Sequence, residues 1–369
     1  MAEAYLNETY DVVIIGAGPA GSSAAKAAAR GKATVLLIDR RQRVGVPVQC
    51  AEFVPQWTSR HADFTSIPIL QTVEMMVVHL PGKTSLGETI YESKGPGYMV
   101  DRSLLDKELA TSAALAGARI SIETKAVGPA PGGVVVEHGA EETVIRSKVI
   151  IGADGVHSAT SRWLGQPPAK AMVALQYEVV ISRPQHHVDI FFHRDYEGGY
   201  AWLFPKGRTA NAGMGVVPAK ASLLPTLMSN FLNGLVDSKK VDGLQIIGRT
   251  GGSIPCDAPR KTVFGNTLLV GDAAGQAHPI TGAGVLNAIL AGEIAGRIAA
   301  EAAAKGDLHH LGKYESECRE VFGKSLSYGA SKRSFLEENW NGSGVAFEDL
   351  IRKTWPGFKE YYRDRKAET

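Results

Sequence analysis

The sequence predicts an α/β protein in which a Rossmann-type domain is interleaved with a β-rich α+β domain and followed by a helical C-terminal tail. Three observations support this fold class. A strand, a glycine-rich turn and a helix open the chain, several strand-like segments fill its middle, and a further strand, glycine turn and long helix come after them. Because the late segments repeat the pattern of the first ones, we expect the Rossmann-type domain to be assembled from separated parts of the chain.

The length of 369 residues also favours two domains, since a single hydrophobic core rarely grows beyond about 250–300 residues. No internal repeat or low-complexity linker divides the chain. We expect the Rossmann-type domain to comprise residues 1–66, 97–165 and 250–304, the second domain residues 67–96 and 166–249, and the helical tail residues 305–369.

The composition excludes some classes of function. Lysine and arginine total 40 against 38 aspartate and glutamate, so the net charge of +2 offers no strong positive field for nucleic acid. No stretch of about 18 uninterrupted apolar residues occurs, and the N-terminus lacks a signal-peptide pattern. Cys50, Cys256 and Cys318 match no disulfide or zinc spacing. We therefore expect a reducing, cytoplasmic location and leave peripheral contact with a membrane open.

The first strand–turn–helix unit predicts a dinucleotide site. Residues 10–15 form a buried strand, GAGPAG follows, a helix covers Ser22–Arg30, and the strand Thr34–Ile38 ends on Asp39. The glycines let the backbone approach a pyrophosphate, the helix N-terminus supplies N–H groups, and the acid accepts ribose hydroxyls. The residues predicted to contact the dinucleotide here are Gly16, Gly18, Pro19, Ala20, Gly21, Asp39 and Arg40.

The following segments are predicted in order from their periodicity. A loop covers residues 44–55, strand-like alternation with a turn at Pro81-Gly82 covers residues 67–98, and a helix covers Ser103–Ala116. Residues 166–250 are β-rich apart from a helix near Leu223–Val236. The strand Asn266–Val270 then leads to a long helix that begins near Gly284.

Two distant segments end strands on turns that contain aspartate. Residues 150–155 (IIGADG) and 268–274 (LLVGDAA) both have this form, and residues 279–284 (PITGAG) open the next helix. Asp154 and Asp272 are therefore candidate ligand-binding residues, with turn formation as the alternative role for each.

The order of these segments resembles the FAD-binding pattern of the superfamily that includes p-hydroxybenzoate hydroxylase and the geranylgeranyl reductases. The resemblance implies FAD as cofactor, with Asp272 on the ribityl hydroxyls and Asp154 and Gly155 near the pyrophosphate. Arg102 matches a position on the FAD side of its helix, with a surface ion pair as the alternative. The dipole of the helix after Gly284 would stabilise the anionic reduced flavin. The other residues implied near the cofactor are Cys50, Ala51, Ala126, Gly271, Gly282, Gly284 and Val285.

Two further strings are similar to motifs of the geranylgeranyl reductases. Residues 46–52 (VPVQCAE) resemble a PVxCAE or PVxCGE loop near the isoalloxazine, and residues 199–205 (GYAWLFP) resemble a YxWxFP motif beside the cavity for the isoprenoid chain. By this resemblance the substrate-binding residues are Tyr200, Trp202, Phe204 and Pro205. The three aromatic residues alternate along one strand and share a face, so a stripe of the core is the alternative.

Cys50 is the predicted catalytic residue. Reduction of an unactivated C=C bond requires a hydride at one carbon and a proton at the other, and a thiol beside the flavin titrates near neutral pH. The alternative role of Cys50 is that of a small buried hydrophobic residue, which is the commoner state of a free cysteine.

The histidines and the tail carry weaker signals. His186, His187 and His193 have no partners at a metal-binding spacing, so no metal is predicted. His278 precedes Pro279, where either proximity to the flavin or a simple turn explains it. Residues 352–366 (RKTWPGFKEYYRDRK) mix aromatic and basic residues as membrane-surface segments do, and a docked terminal helix explains them equally well.

Together these features predict an FAD-dependent reductase that saturates C=C bonds of a polyprenyl lipid, quinone or diphosphate. Only one dinucleotide fingerprint and no CxxC are present, so electrons are expected from NAD(P)H, ferredoxin or reduced flavin. The alternative function is an FAD-dependent monooxygenase that hydroxylates an aromatic compound or a protein side chain, since one fold supports both reactions. A flavin-binding accessory protein without turnover is a third possibility.

Overall fold

The computed structural model describes residues 6, 8–61, 68–81, 89–183, 185–342 and 344–363. Within these residues sixteen β-strands form two sheets of eight, and α-helices pack against both. The predicted fold class, a Rossmann-type α/β domain with a β-rich α+β domain and a helical tail, is confirmed. Gly82 of the predicted turn and residues 364–366 of the basic tail lie outside the described residues.

The first sheet is mostly parallel. Numbered in chain order, its strands are β1 (Thr9–Ile15), β2 (Val35–Ile38), β6 (Arg119–Ser121), β7 (Thr124–Ala130), β8 (Gly133–His138), β9 (Glu141–Gly152), β15 (Val263–Phe264) and β16 (Thr267–Leu269). Their spatial order is β15–β16–β9–β1–β2–β6, with β8 joined to β9 and β7 to β8. β1 pairs in parallel with β2 on one side and with β9 on the other. Its residues 12–15 are buried because they are apolar on both faces of the sheet.

The second sheet is mainly antiparallel and contains the aromatic motif. Its strands are β3 (Phe53–Pro55), β4 (Ile69–Leu80), β5 (Thr89–Val100), β10 (Ala171–Val180), β11 (His187–Phe191), β12 (Tyr200–Lys206), β13 (Thr209–Val216) and β14 (Ile246–Pro255). They run in the order β14–β10–β13–β12–β11–β4–β5–β3. β3 belongs to a segment that we assigned to the Rossmann-type domain, yet it pairs with β5 here. The domain boundaries therefore stay a prediction.

The α-helices cover both sheets. They are α1 (Pro19–Arg30), α2 (Thr58–His61), α3 (Arg102–Leu115), α4 (Ala159–Trp163), α5 (Leu224–Asp237), α6 (Val285–Lys305), α7 (Gly312–Cys318), α8 (Lys324–Asn339) and α9 (Phe347–Thr354). Helix α3 begins one residue before its predicted start. The reason is its cap, because the Asp101 side chain accepts hydrogen bonds from the N–H groups of Ser103 and Leu104.

Helices α1 and α6 approach each other at backbone distance. A Cβ atom at Gly292 would lie 2.3 Å from the carbonyl oxygen of Ala20, and one at Gly296 would lie 2.1 Å from that of Ala24. Only glycine fits at these two positions. The close contact keeps α6 beside the glycine turn that precedes α1.

The C-terminal helices cover one face of the second sheet, while α5 covers the other. Trp340, Trp355, Phe358 and Tyr361 are all buried. Most aromatic residues of the tail are thus docked into the protein, which was one of the two alternatives for this segment, while Tyr362 is exposed. In the part of the chain that the structure describes, no helix is both long and apolar enough to cross a bilayer.

Candidate active site

Four of the predicted segments meet at one edge of the first sheet. The glycine turn follows β1, Asp39 follows β2, Asp154 follows β9 and Gly271 follows β16. Because β16, β9, β1 and β2 are parallel neighbours, their carboxyl ends lie side by side. In open α/β sheets this edge is where ligands bind. The fold therefore brings together residues that are far apart in the sequence.

The glycine turn has one open face. Gly16 has a φ of +104°, and a Cβ there would lie 2.5 Å from the carbonyl oxygen of Ala153. A Cβ at Gly21 would lie 1.8 Å from the carbonyl oxygen of Gly16. A Cβ at Gly18, in contrast, would meet no described atom within 4 Å. Close contacts with neighbouring backbone require glycine at positions 16 and 21. At Gly18, in contrast, the backbone is open to a ligand.

Asp39 ends β2 and holds the glycine turn. Its Oδ2 accepts a hydrogen bond from the N–H of Ala17 and its Oδ1 from that of Arg41, each at 2.8 Å. Each oxygen keeps a further lone pair, which can accept a ribose hydroxyl. Arg40 is exposed next to this carboxylate.

Asp272 presents a carboxylate towards the start of α6. Among the described residues its side chain has no hydrogen-bond partner. Burial raises its pKa, and the nearby Arg102 guanidinium opposes that rise. A Cβ at Gly284 would lie 3.3 Å from its Oδ1, and Gly282 has a φ of +67°. The site is therefore open to a ligand that donates hydroxyl hydrogens, as a ribityl chain does.

Asp154 has a local role in the turn between β9 and α4. Its carboxylate accepts hydrogen bonds from the hydroxyl of Ser158 at 2.5 Å and from the N–H of Thr160 at 3.0 Å. This is the turn-forming alternative, and contact of Asp154 with a cofactor stays a prediction. A Cβ at the neighbouring Gly155, which has a φ of +80°, would meet no described atom within 4 Å.

Arg102, the first residue of α3, lies near the thiol of Cys50. Its guanidinium donates to both carboxylate oxygens of Asp106, at 2.9 and 3.1 Å, and its charge interacts with Cys50. Burial acts to lower the pKa of Arg102, but Asp106 and Cys50 outweigh it and the pKa is raised. The ion pair is buried, not on the surface. The half-buried Cys50 thiol thus lies beside a permanent positive charge.

Glu52, to which we assigned no role, anchors the Cys50 loop (residues 46–52). Its side chain is 3% exposed. One carboxylate oxygen accepts the N–H of Arg102 at 2.9 Å, and the other accepts the Lys206 ammonium at 2.5 Å and the Asn211 amide at 2.9 Å. The N–H of Glu52 itself donates to the Cys50 sulfur at 3.3 Å. The loop is therefore fixed to both α3 and the second sheet.

The aromatic motif on β12 is hydrogen-bonded to both sides of the site. Tyr200 donates its hydroxyl to the carbonyl of Thr281 at 2.6 Å, in the turn before α6. Trp202 donates its indole N–H to Gln176 at 2.9 Å, and Gln176 donates to the carbonyl of Cys50 at 3.1 Å. Burial raises the pKa of the Tyr200 hydroxyl, and Cys50 adds to the rise. The structure thus brings the two predicted motifs together.

The rings of the motif form part of a packed aromatic cluster. Trp202 and Phe204 are buried, and the Tyr200 ring lies 5.8 Å from that of Trp202 and 5.0 Å from that of Trp355 on the tail. Pro205 follows them on β12. The motif is therefore part of the core and packs against the tail, and its contact with a substrate stays a prediction.

His278 joins the turn before α6 to the tail. Its Nδ1 lies 3.3 Å from the N–H of Ile280, and its Nε2 lies 3.4 Å from the hydroxyl of Tyr361. Burial lowers the pKa of His278 to about 4. The imidazole is therefore neutral at physiological pH and accepts a hydrogen bond through Nδ1.

The other predicted residues lie at the starts of two helices, in the Cys50 loop and on β7. Pro19 and Ala20 begin α1, and Val285 begins α6. The carbonyl of Ala51 accepts a hydrogen bond from the Asn211 side-chain amide at 3.1 Å. Ala126 lies in β7, whose first residue donates its N–H to the carbonyl of Asp39. Among the described residues, no group of three or more His, Cys, Asp or Glu side chains is arranged to hold a metal.

Two family descriptions match this chain. Pyridine nucleotide-disulphide oxidoreductase matches residues 10–160, which include the glycine turn, and geranylgeranyl reductase catalytic domain matches residues 171–254, which include β10 to β13 and the aromatic motif. The redox-active CxxC of disulphide reductases is absent from the sequence. The first match therefore concerns the dinucleotide-binding architecture.

Relatives match over nearly the whole chain. A digeranylgeranylglycerophospholipid reductase from Methanocaldococcus jannaschii is 35% identical over 90% of this chain and 88% of its own. The crystal structure of a geranylgeranyl bacteriochlorophyll reductase-like protein from Thermoplasma acidophilum is 26% identical with a TM-score of 0.85, and covers 98% of this chain and 100% of its own. Aklavinone-11 hydroxylase, solved with FAD and aklavinone, has a TM-score of 0.69 over 94% of this chain and 73% of its own. At 18% identity that last likeness shows the fold alone.

Proposed function

The chain belongs to the geranylgeranyl reductase family of FAD-dependent oxidoreductases, and from this premise we propose that it saturates C=C bonds in the geranylgeranyl chains of a lipid. A digeranylgeranylglycerophospholipid, named for the M. jannaschii relative, is the first candidate substrate. The observation that supports this most strongly is the link from the aromatic strand to the Cys50 loop through Gln176. An aromatic wall next to a thiol suits protonation of an apolar chain.

The protein binds FAD, and the crevice at the first sheet fits this cofactor. The open backbone at Gly18 suits the pyrophosphate, and the unpartnered carboxylate of Asp272 suits the ribityl hydroxyls. When bound, FAD supplies the hydride that one carbon of the double bond receives. We propose that NAD(P)H, ferredoxin or a reduced free flavin provides the electrons. The remaining residues that we propose for the cofactor are Gly16, Pro19, Ala20, Gly21, Asp39, Arg40, Cys50, Ala51, Arg102, Ala126, Asp154, Gly155, Gly271, Gly282, Gly284 and Val285.

Cys50 is our proposed proton donor for the other carbon. Its thiol would transfer its proton to the carbon and become a thiolate, which solvent then reprotonates. The guanidinium of Arg102 lies near this sulfur, and its positive charge would stabilise the thiolate. Because arginine stays charged at all relevant pH values, this support is constant.

The aromatic residues of β12 would bind the isoprenoid chain. The rings of Tyr200, Trp202 and Phe204 are apolar and share one face of the strand, and the polar atoms of the first two are hydrogen-bonded to Thr281 and Gln176. Such rings would contact a hydrocarbon chain without offering it a hydrogen-bond partner. Pro205, next to Phe204 on β12, is the fourth residue that we propose for the substrate.

The mass of the product tests the proposal. Reduced holoenzyme is incubated without oxygen with a digeranylgeranylglycerophospholipid, a geranylgeranyl quinone and geranylgeranyl diphosphate. We expect a mass increase of one H₂ for each C=C bond in at least one substrate. Heat-inactivated protein with the same reductant is the control. An unchanged mass for the whole panel would contradict the reductase. A product heavier by one oxygen atom in air would contradict it as well and would favour the monooxygenase.

A further inference from the structure

The backbone of the Cys50 loop rests on the second sheet through two carboxamide side chains. Gln176 on β10 donates to the carbonyl of Cys50 at 3.1 Å, and Asn211 on β13 donates to the carbonyl of Ala51 at 3.1 Å. β10 and β13 are neighbouring antiparallel strands. Two consecutive carbonyls of the loop are therefore held by two adjacent strands of one rigid surface.

Both carboxamides are buried, and each makes two hydrogen bonds. Gln176 is 6% exposed and Asn211 is 1% exposed. The Gln176 carbonyl accepts the indole N–H of Trp202, which fixes the amide orientation so that its NH₂ group faces Cys50. Asn211 divides its amide between the Ala51 carbonyl and the Glu52 carboxylate at 2.9 Å. Buried polar groups this well paired define a single local geometry.

The backbone that they hold is strained. Glu52 has a φ of +69°, a region that residues with a Cβ rarely adopt. Such a conformation persists only where the surroundings determine it. Here it directs the N–H of Glu52 to the Cys50 sulfur at 3.3 Å. The position of the thiol thus depends on the contacts that keep this turn in place.

We propose that Gln176 and Asn211 are positioning residues that hold the Cys50 thiol in place for proton delivery, and that Gln176 also couples the thiol to the chain-binding residue Trp202. The inference rests on the reductase function proposed above and adds two residues to its machinery. Asn211 contacts the loop but not the aromatic motif, whereas Gln176 contacts both. The two residues should therefore differ in their kinetic effects.

The first test compares Asn211→Leu with Gln176→Met, two substitutions that keep side-chain size and remove the amide. With digeranylgeranylglycerophospholipid as substrate, Asn211→Leu should lower kcat by about 10- to 100-fold with little change in KM, because small displacements of a catalytic group are costly. Gln176→Met should lower kcat similarly and also raise KM several-fold, because Trp202 loses its hydrogen bond. In both variants the solvent deuterium isotope effect on kcat should grow as proton delivery becomes limiting.

The second test follows the loop itself. Hydrogen exchange of the peptide that contains residues 46–55 in the FAD-loaded protein should be faster by about tenfold or more in both variants. Exchange in β1 and α1 should be unchanged. Asn211→Ser, which keeps a shorter donor, provides a milder variant if Asn211→Leu does not fold, and its exchange rate should lie in between.

Gln185→Met is the matched control. Gln185 comes just before β11, a strand of the same sheet. Among the described residues its side chain donates only to the carbonyl of Lys240, at 3.4 Å, and its buried Oε1 has no hydrogen-bond partner. This variant should keep the wild-type kcat, KM and loop exchange. A comparable loss in Gln185→Met, or wild-type loop exchange in the other two variants, would overturn the inference. Faster exchange with an unchanged kcat would overturn it as well.

Failure of the proposed function gives a different result. If the wild-type enzyme reduces no lipid, the proposed reductase is wrong, while hydrogen exchange still shows whether the two carboxamides hold the thiol. If the wild-type enzyme reduces the lipid and the variants match it in every readout, the function stands and the positioning role is wrong.

Discussion

Among single residues, Cys50 has two polar neighbours at its sulfur. The sulfur accepts the N–H of Glu52 at 3.3 Å and lies near the guanidinium of Arg102, which is paired with Asp106. Both neighbours lie beside the atom from which the proposed proton transfer would start. A half-buried cysteine in this setting differs from Cys256 and Cys318, which are buried and whose pKa values are raised by burial.

Replacement of Cys50 by alanine should remove the proton donor and leave FAD bound. We expect kcat for lipid reduction to fall by about 10²- to 10⁴-fold, the usual contribution of a positioned general acid. Steady-state kinetics and the absorbance of bound flavin measure the two effects. Cys256→Ala is the control and should keep the wild-type kcat. Wild-type turnover by Cys50→Ala would exclude the thiol as proton donor.

At the scale of elements, the strand–turn–helix unit at residues 9–30 separates packing from binding. Gly16 and Gly21 are required by neighbouring backbone atoms, while Gly18 faces open space with an ordinary φ of −77°. The sequence motif treats the three glycines alike. Their structural environments divide them into two that allow the turn to form and one, Gly18, that leaves open space where we propose the pyrophosphate to bind.

Alanine substitutions should reveal this division. Gly21→Ala should lower the free energy of unfolding of the apoprotein by about 1–3 kcal/mol or more, because its Cβ would lie 1.8 Å from the Gly16 oxygen. Gly18→Ala should keep the wild-type Tm without FAD and bind FAD at least about tenfold more weakly, because the methyl group obstructs the pyrophosphate. Thermal unfolding and flavin fluorescence titration measure both quantities.

Gly312→Ala serves as the control for this pair. Gly312 begins α7, has a φ of −58°, and a Cβ there would meet no described atom within 4 Å. It should leave FAD affinity unchanged and should not lower Tm, because alanine suits a helical φ at least as well as glycine does. Equal FAD affinity in Gly18→Ala and the wild type would mean that the pyrophosphate does not approach this turn.

In the whole molecule, the C-terminal segment packs against the aromatic strand β12 and contacts the turn before α6. Tyr361 lies against His278, and Trp355 lies against Tyr200. The turn carries Thr281, which accepts the Tyr200 hydroxyl. The tail, the aromatic strand and the start of α6 therefore form one connected unit.

This unit should be sensitive to acid through His278. Burial lowers the pKa of His278 to about 4, whereas in the unfolded chain it is about 6.5. As the pH falls, the unfolded state therefore binds the proton first. The free energy of unfolding is highest above a pH of about 6.5, and it falls by about 2–3 kcal/mol as the pH drops towards 4. Denaturant titrations at neutral pH and near the folded-state pKa measure the fall.

His278→Asn should reduce that fall, because asparagine keeps an acceptor and has no proton to gain. The exposed His61, replaced by asparagine, provides the control and should retain the wild-type pH dependence. If His278→Asn loses as much stability in acid as the wild type, the acid sensitivity arises elsewhere.

Sequence reasoning predicted the parts of this architecture that have local signals. The unit from β1 to β2 follows from a glycine motif and apolar periodicity, and α6 follows from the glycine turn before it. Glu52 could not be assigned in this way, because its partners Lys206 and Asn211 are 154 and 159 residues away. The tail was ambiguous since mixed aromatic and basic residues suit both a membrane surface and a docked helix. Burial of Trp355 and Tyr361 shows that the aromatic part docks.

We expect this flavoprotein to pass electrons to a C=C bond of a geranylgeranyl chain and not to oxygen. The decisive experiment is an anaerobic titration of the reduced holoenzyme with a digeranylgeranylglycerophospholipid, followed by flavin absorbance and by the mass of the lipid. We predict that oxidised flavin returns as lipid is added, in equal amount to the C=C bonds saturated. Flavin that stays reduced in the presence of the lipid, and is oxidised only when oxygen enters, would contradict the claim.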